Sequence, residues 1–230
     1  MKTQIISLLL CVGMICACNN TQKGLGIGAG GGAVVGGVIG AIAGNTAIGA
    51  AIGAGVGAGV GAVIGKKMAK AKKEAEQALQ QTAEVETVTD ANGLEAVKVT
   101  FDSGILFATG KSNLSATAKT SLAKLSTVLK NNSDCDVAIQ GYTDNAGWKG
   151  ATAAQSAEKN KALSVDRATA VSSYLLGLTV PASQIKSVEG FGEANPIADN
   201  ATASGREQNR RVEIYLYASE KMIQNAQQGN

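Results

Sequence analysis

The chain has 230 residues, a formal net charge of +3 and no histidine, and 29 of its residues are glycine. A charge this close to neutral, without a basic stripe interleaved with aromatic residues, gives no support for a nucleic-acid partner. The sequence also lacks any motif that places a nucleophile beside a base, which argues against an enzyme. We therefore expect no metal and no cofactor other than a covalently attached lipid.

The first 17 residues have the pattern of a secretory signal peptide. Lys2 provides a positive start, residues 5–15 form an apolar run too short to span a membrane, and Ala17 is a small residue before Cys18. The sequence ICAC at 15–18 resembles the lipobox of bacterial lipoproteins, which implies a lipid on Cys18 and a lipidated N-terminus over 18–23. The alternative is ordinary secretion with Cys18 as a bystander. Cys135 would then be the one other cysteine of the mature chain, and we expect it to be a small buried apolar residue.

Residues 24–65 form two glycine-rich arms separated at Asn45 and Thr46. Glycine recurs at every fourth position of each arm, which predicts a helical hairpin with closely approaching backbones. An arm of about 21 residues would be about 31 Å long, close to the ~30 Å hydrocarbon thickness of a bilayer. A silk-like strand, disorder and a compact soluble hairpin are the alternatives. The segment resembles the glycine-zipper lipoproteins of the bacterial outer membrane, which implies a location in or against the membrane and the capacity to form homo-oligomers.

The segments that flank the C-terminal half are polar. Residues 66–84 begin with a lysine cluster suited to lipid headgroup phosphates and are rich in strong helix formers, which predicts an exposed spacer helix. Residues 218–230 are predicted to be a polar C-terminal tail.

Strand and helix patterns alternate between these segments. Period-two alternation predicts strands at 94–101, 135–141, 185–192 and 210–217, and helical spacing predicts helices at 114–132 and 163–178. A turn at 90–93 separates the first of these strands from another strand-like run. The pattern predicts an α+β two-layer sandwich of βαβαββ type, with helices covering one face of the sheet.

Five motifs in this half resemble those of the OmpA C-terminal-like domain, in that family's order. They are VTFDSGILF, GYTDN, LSVDRATAVSSYLL, GFGEANPIADN and GREQNRRVEI, and the resemblance covers residues 85–217. It implies noncovalent binding of peptidoglycan through the diaminopimelate residue of its stem peptide. It also implies that the domain faces the periplasm.

The resemblance places the two ligand-clamping positions on Asp144 and Arg167. Diaminopimelate ends in a free amino acid group, so an aspartate suits its ammonium, and the planar fork of an arginine suits its carboxylate. A cation in the first turn of a helix opposes the helix dipole, so helix stability does not explain Arg167. The alternative is a surface arginine paired with Asp166.

The remaining candidate site residues follow from the same motifs and are expected to lie around the clamp: Thr143, Asn145, Asn160, Asp102 and Arg211. Alternation with Val212 puts Arg210 on the buried side of its strand and Arg211 on the opposite one, and one of the two fixes the loops or contacts the ligand. Trp148 lies in a loop longer than the family's usual spacing, where it either covers the ligand or caps the loop on the surface.

Together these features predict an outer-membrane lipoprotein, anchored by its lipid, that tethers the membrane to peptidoglycan. Its expected partners are peptidoglycan and outer-membrane lipids. One alternative is a structural assembly protein whose glycine arms form a membrane oligomer or pore, with wall binding only for positioning. Another is a domain that no longer binds the wall and acts as a protein–protein module.

Overall fold

The computed structural model describes residues 58–90 and 93–229. The predicted signal peptide, the lipidation site Cys18 and most of the glycine-rich hairpin lie outside the described residues. Within the described ranges, no helix combines the length and the apolar character needed to cross a bilayer.

A five-stranded mixed sheet is the centre of the fold, in the order β1-β2-β5-β3-β4. The strands are β1 (Glu84–Thr89), β2 (Glu95–Asp102), β3 (Cys135–Gly141), β4 (Ile185–Gly190) and β5 (Arg211–Ala218). β3 and β4 pair in parallel, and the other neighbours are antiparallel. β2 to β5 with the two long intervening helices make the predicted βαβαββ pattern, and β1 adds a hairpin strand at the edge. The predicted fold class is confirmed.

Six helices accompany the sheet in the described residues. They are α1 (Ala58–Leu79), α2 (Ser103–Leu106), α3 (Ala116–Asn131), α4 (Ala153–Gly177), α5 (Ala203–Asn209) and α6 (Glu220–Gln227). The main core joins the helices to one sheet face, where Val212, Ile214 and Leu216 of β5 are buried. Tyr215 and Tyr217 belong to a separate cluster on the other face, as strand alternation requires.

The predicted core positions of α3 and β3 are buried as expected. Leu122, Leu125 and Leu129 are fully buried along one side of α3, which Ser115 caps by accepting a hydrogen bond from the Ala118 N–H. Cys135 is a buried free cysteine in the same core. Burial raises the pKa of the Cys135 thiol to about 12. The thiol therefore remains protonated at neutral pH, as a small apolar core residue would.

The prediction of an exposed spacer helix over residues 66–84 is wrong. Helix α1 begins at Ala58, before the lysine cluster, and ends at Leu79. One of its faces is buried in the domain core: Val60, Ile64, Met68, Ala71, Ala75 and Leu79. These positions are spaced by three or four residues, so they form a single apolar stripe, while the lysines lie on the other sides. A domain boundary between residues 65 and 66 divides this stripe, so the apolar face is not recognised in either part.

Residues 58–65, the end of the second glycine-rich arm, are therefore helical rather than silk-like. Val60 and Ile64 from this arm belong to the core of the C-terminal domain. The rest of the predicted hairpin lies outside the described residues.

The prediction that residues 218–230 form a polar tail is also wrong. Ser219 accepts a hydrogen bond from the Met222 N–H and caps helix α6. Met222, Ile223 and Ala226 are buried in the main core. The segment reads as polar by composition, but its few apolar residues share one helix face.

Two glycines bring α4 close to the ends of β3 and β4. A Cβ at Gly141 would lie 2.2 Å from the Ser164 carbonyl oxygen, and one at Gly190 would lie 2.2 Å from the Val165 nitrogen. Only glycine permits this approach of helix backbone to strand backbone. Arg167 follows Ser164 by one helical turn, so the two glycines determine where its side chain starts.

Candidate ligand-binding site

A cavity of about 550 Å³ lies where β2 and β3 end and β5 begins. Its wall on one side is the segment that follows β2, and on the other the loop that follows β3, with α4 and α5 completing it. The charged residues that line it are Asp144, Lys149, Arg167, Arg206 and Arg210. Its other lining residues are Ser103, Gly104, Phe107, Thr109, Gly110, Thr143, Ala146, Gly147, Trp148, Asn160 and Leu163.

Asp144 is held in place by its own loop and by an arginine. Its side chain is buried, and its Oδ1 accepts a hydrogen bond of 3.1 Å from the Ala146 N–H. Its Oδ2 accepts one of 2.5 Å from Arg210 Nη1. The carboxylate is thus oriented at the cavity wall with a cation already beside it.

Arg167 is buried in α4, with only 3% of the residue exposed. Its Nε donates a hydrogen bond of 3.1 Å to the Lys111 carbonyl oxygen, and its guanidinium lies 5.1 Å from the centroid of the Phe107 ring. Among the described residues, no carboxylate forms an ion pair with it within 4.0 Å. Burial lowers the pKa of Arg167, and the nearby positive charge of Arg210 lowers it further. The negative charge of Asp144 raises the pKa of Arg167.

The alternative of a surface arginine paired with Asp166 is not found. Asp166 is exposed, whereas Arg167 is buried on the cavity side of the same helix. The structure therefore brings the two predicted clamp residues, Asp144 and Arg167, into one cavity.

Asn160 ties the loop after β3 to α4. Its Nδ2 donates hydrogen bonds to the carbonyl oxygens of Asp144 and Ala146, at 3.4 and 3.2 Å. Its Oδ1 accepts a hydrogen bond of 2.7 Å from Trp148 Nε1. The backbone N–H of Trp148 also donates a hydrogen bond of 3.0 Å to Ser156 Oγ. Trp148 is half-buried and lines the cavity, and covering of a ligand by its ring stays a prediction.

The prediction that Arg211 lines the site is wrong. Its side chain is buried on the other face of the sheet. There Nε donates a hydrogen bond of 2.7 Å to Glu213 Oε1, and the guanidinium lies 3.8 Å from the Tyr142 ring centroid. Arg210 lines the cavity instead and was missing from the predicted site residues. The signal that would have found it is strand alternation, since Arg210 shares the helix-facing side with Val212.

Two further predicted site residues lie outside the cavity lining. Asp102 caps the short helix α2, where its Oδ1 accepts a hydrogen bond of 2.6 Å from the Gly104 N–H. Asn145 is exposed. Thr143 does line the cavity and is buried. The motif neighbours of a site residue alternate in direction, so only some of them share its surroundings.

The fold and the cavity define an α+β domain with a buried aspartate and a buried arginine that line one open cleft at the end of its three central strands. Residues 106–210 match the OmpA family. Residues 1–69 match the YMGG-like Gly-zipper family. Both family resemblances are confirmed.

Curated relatives share the C-terminal half. YiaD of Escherichia coli strain K12, named a lipoprotein, is 40% identical over 118 residues, which are 51% of this chain and 47% of YiaD. The peptidoglycan-binding protein ArfA of Mycobacterium tuberculosis strain H37Rv is 43% identical over 95 residues, which are 41% of this chain and 26% of ArfA. The chain thus covers less than half of either relative. Neither bears the name of an enzyme, in line with the prediction that this chain is not one.

Solved structures share the fold. A cell wall anchor of the type VI secretion system (T6SS) from Pseudomonas aeruginosa matches with a TM-score of 0.50 and 28% identity, over 68% of this chain and 97% of that one. A MotB-like protein from Desulfovibrio vulgaris matches with a TM-score of 0.57 and 23% identity, over 68% of this chain and 94% of that one. The second likeness is one of fold alone.

Proposed function

We propose that this protein is an outer-membrane lipoprotein that tethers the membrane to peptidoglycan by binding the diaminopimelate stem peptide noncovalently. The observation that carries the proposal is the buried guanidinium of Arg167, which has no carboxylate partner among the described residues. Asp144 lies in the same open cavity.

A buried cation without an ion-pair partner is costly, because the hydrogen bond to Lys111 and the Phe107 ring replace only part of the water that burial removes. A ligand carboxylate would supply the missing counterion and would accept two parallel hydrogen bonds from the terminal nitrogens of Arg167. The ligand ammonium would bind the carboxylate of Asp144. The free end of diaminopimelate carries both groups on one carbon, so it matches a cavity in which Asp144 and Arg167 both lie.

The relatives support the wall as the partner. ArfA is named a peptidoglycan-binding protein, and a structure with the same fold is a cell wall anchor. The lipoprotein name of YiaD supports the lipid on Cys18. Attachment to the outer membrane, with the domain in the periplasm, is part of the same proposal. In this function no bond is made or broken, and the free energy of binding resists separation of membrane and wall.

The test is cosedimentation of the purified full-length protein with peptidoglycan sacculi. Asp144→Ala and Arg167→Ala should each weaken binding by about tenfold or more, because each removes a charge-assisted contact. Arg167→Lys keeps the charge but loses the planar fork and should also weaken binding.

Asp166→Ala is the matched control, since Asp166 is an exposed carboxylate on the same helix as Arg167. It should bind sacculi as the parent does. If the Asp144 and Arg167 variants sediment with sacculi as well as the parent and are folded by circular dichroism, the proposal fails.

A second candidate function is assembly of a membrane oligomer, which the match of residues 1–69 to the YMGG-like Gly-zipper family favours. The deletion that tests it should remove residues 24–57 only, because Val60 and Ile64 belong to the domain core. Assembly predicts that detergent-extracted parent protein runs as a large oligomer and that the deleted protein does not. If both run at the same size, the assembly function is excluded.

A further inference from the structure

Trp148, the only tryptophan of the chain, is fixed at the wall of the cavity by contacts to helix α4. Its indole Nε1–H donates a hydrogen bond of 2.7 Å to Asn160 Oδ1, and its backbone N–H donates one of 3.0 Å to Ser156 Oγ. Asn160 and Ser156 are buried, with 4% and 5% of their surface exposed. The ammonium of Lys159 lies 5.8 Å from the centroid of the indole ring. The ring is thus held in one orientation in the free protein, which lowers the entropy lost on binding a ligand.

The same contacts connect Trp148 to the predicted clamp. Asn160 also donates hydrogen bonds to the carbonyl oxygens of Asp144 and Ala146. Asn160 and Arg167 both line the cavity and are separated by about two turns of α4, so they share one side of this helix. Trp148 therefore keeps a fixed position relative to both charged residues of the clamp.

The accessible large apolar side chains of the cavity lie on this side as well. Leu163, between Asn160 and Arg167 on α4, is half-buried and lines the cavity, as Trp148 does. Phe107, the other large apolar residue among the described lining residues, is 3% exposed, and the guanidinium of Arg167 lies 5.1 Å from its ring centroid. A ligand can therefore bury apolar surface against Trp148 and Leu163 but not against Phe107.

The proposed ligand has an apolar part that fits this wall. In diaminopimelate a chain of methylene groups joins the free amino acid end to the carbon that belongs to the peptide, and it measures about 5 Å between the two end carbons when extended. Asn160 lies about 10 Å from Arg167 along the axis of α4, with Leu163 about halfway. With the free amino acid end bound at Arg167, the methylene chain passes Leu163 in the direction of Trp148.

We propose that Trp148 and Leu163 bind the methylene chain of diaminopimelate, with the indole ring as a preformed apolar wall. Trp148 is then a specificity-determining residue, because it favours an amino acid group on a methylene chain over the same group on a single methyl, as in D-alanine. The inference rests on the proposed function and adds an uncharged contact to the clamp. The hydrogen bond to Asn160 orients the ring, and the ring contacts the ligand.

The first test uses the fluorescence of Trp148, since the chain has no second tryptophan. The full-length protein is titrated with the tripeptide L-alanyl-γ-D-glutamyl-meso-diaminopimelate, and quenching of the fluorescence by acrylamide is measured. Bound tripeptide should cover the ring, so quenching should fall and the emission maximum should shift to shorter wavelength. If both stay unchanged while calorimetry shows that the tripeptide is bound, the contact is refuted.

The second test compares two substitutions of Trp148 by calorimetry with the same tripeptide. Trp148→Ala should weaken binding by about tenfold, the loss expected when about 55 Å² of apolar surface is no longer buried. Trp148→Phe loses the hydrogen bond to Asn160 but keeps an aromatic ring, so it should bind within about threefold of the parent. A residue that only tied the loop to α4 would weaken binding equally in both variants, because neither retains the Nε1–H.

Val165→Ala is the matched control, because Val165 is a 39% exposed apolar residue of the same helix outside the described cavity lining. It should bind the tripeptide as the parent does. Circular dichroism checks that all variants are folded.

Competition with the bound tripeptide tests the specificity. The ratio of the D-alanine concentration to the meso-diaminopimelate concentration needed for displacement should be about tenfold smaller in Trp148→Ala than in the parent, because only the longer ligand loses a contact. An unchanged ratio would show that Trp148 does not distinguish the two.

The outcomes separate this inference from the proposed function. If Trp148→Ala binds the tripeptide like the parent, or if Trp148→Phe binds as weakly as Trp148→Ala, the apolar contact is refuted while wall binding stands. If the parent does not bind the tripeptide, both proposals fail.

Discussion

Replacing Gly141 by alanine tests whether close backbone packing sets the position of Arg167. The new Cβ would lie 2.2 Å from the Ser164 carbonyl oxygen. Carbon–oxygen contacts in proteins are about 3.3 Å or longer, so helix α4 would have to retreat by about 1 Å. Because the obstacle is backbone and not the end of a flexible side chain, a rotamer change cannot relieve the clash.

The expected magnitudes follow from this displacement. Overpacking of a core by a methyl group costs about 1–3 kcal/mol, which lowers the melting temperature of a domain of this size by about 3–10 °C. Arg167 is one helical turn beyond Ser164, so its guanidinium should move with the helix. Loss of well-aligned charged hydrogen bonds should weaken ligand binding by about ten- to a hundredfold.

Thermal unfolding measures the effect on stability, and cosedimentation with peptidoglycan sacculi measures the effect on binding. Gly177→Ala is the control, because it lies at the end of the same helix and its Cβ would meet no atom within 4 Å. The control should melt at the parent's temperature or slightly above and should bind normally. If Gly141→Ala also melts and binds like the parent, close packing at this glycine does not position Arg167.

Two further substitutions and one alkylation experiment test other parts of the structure. Arg211→Ala should lower the free energy of unfolding by about 3–5 kcal/mol, because it leaves the buried carboxylate of Glu213 unpaired; unchanged urea unfolding would contradict the structural role assigned to Arg211. Met68→Ala should cost about 2–5 kcal/mol by the same measurement, since Met68 is fully buried, and an unaffected domain would restore the exposed-spacer interpretation of α1. Burial raises the pKa of Cys135 from its usual value of 9.0 to about 12. The unfolded chain would then ionise this thiol first, so its contribution to stability is complete below pH 9 and is lost as the pH rises toward 12. Native protein should resist alkylation at pH 8 and react after unfolding in urea, and fast native alkylation would refute the buried thiol.

Local patterns predicted much of the fold and four of the residues that line the cavity: Asp144, Arg167, Thr143 and Asn160. The leucine spacing of α3 and the alternation of β3 and β5 appear in the structure as buried faces, because periodicity depends only on residues close in sequence. Asp144 and Arg167 were placed by motifs, and the structure brings them into one cavity.

The failed predictions concern segments whose partners are far away in sequence. Helix α1 reads as an exposed spacer because, of the four buried positions within residues 66–84, two are alanines, which bury little surface unless a fitted partner exists. Strand alternation indicates Arg210, and not the predicted Arg211, as the residue on the helix-facing side. Glu213, the partner of Arg211, lies on the same strand face as Arg211, in a position whose burial only the assembled sheet determines.

The sequence by itself therefore determined the order of strands β2 to β5 and of the long helices α3 and α4, the family resemblance of residues 106–210, and two residues of the cavity, Asp144 and Arg167. These depend on short-range periodicity and on motifs that neighbouring residues carry together. The tertiary structure alone decided that α1 and α6 belong to the core, that Arg210 rather than Arg211 faces the cavity, and that Arg167 is buried without a carboxylate partner among the described residues. Burial and the pairing of charges arise from contacts between distant parts of the chain, and a linear pattern does not contain them.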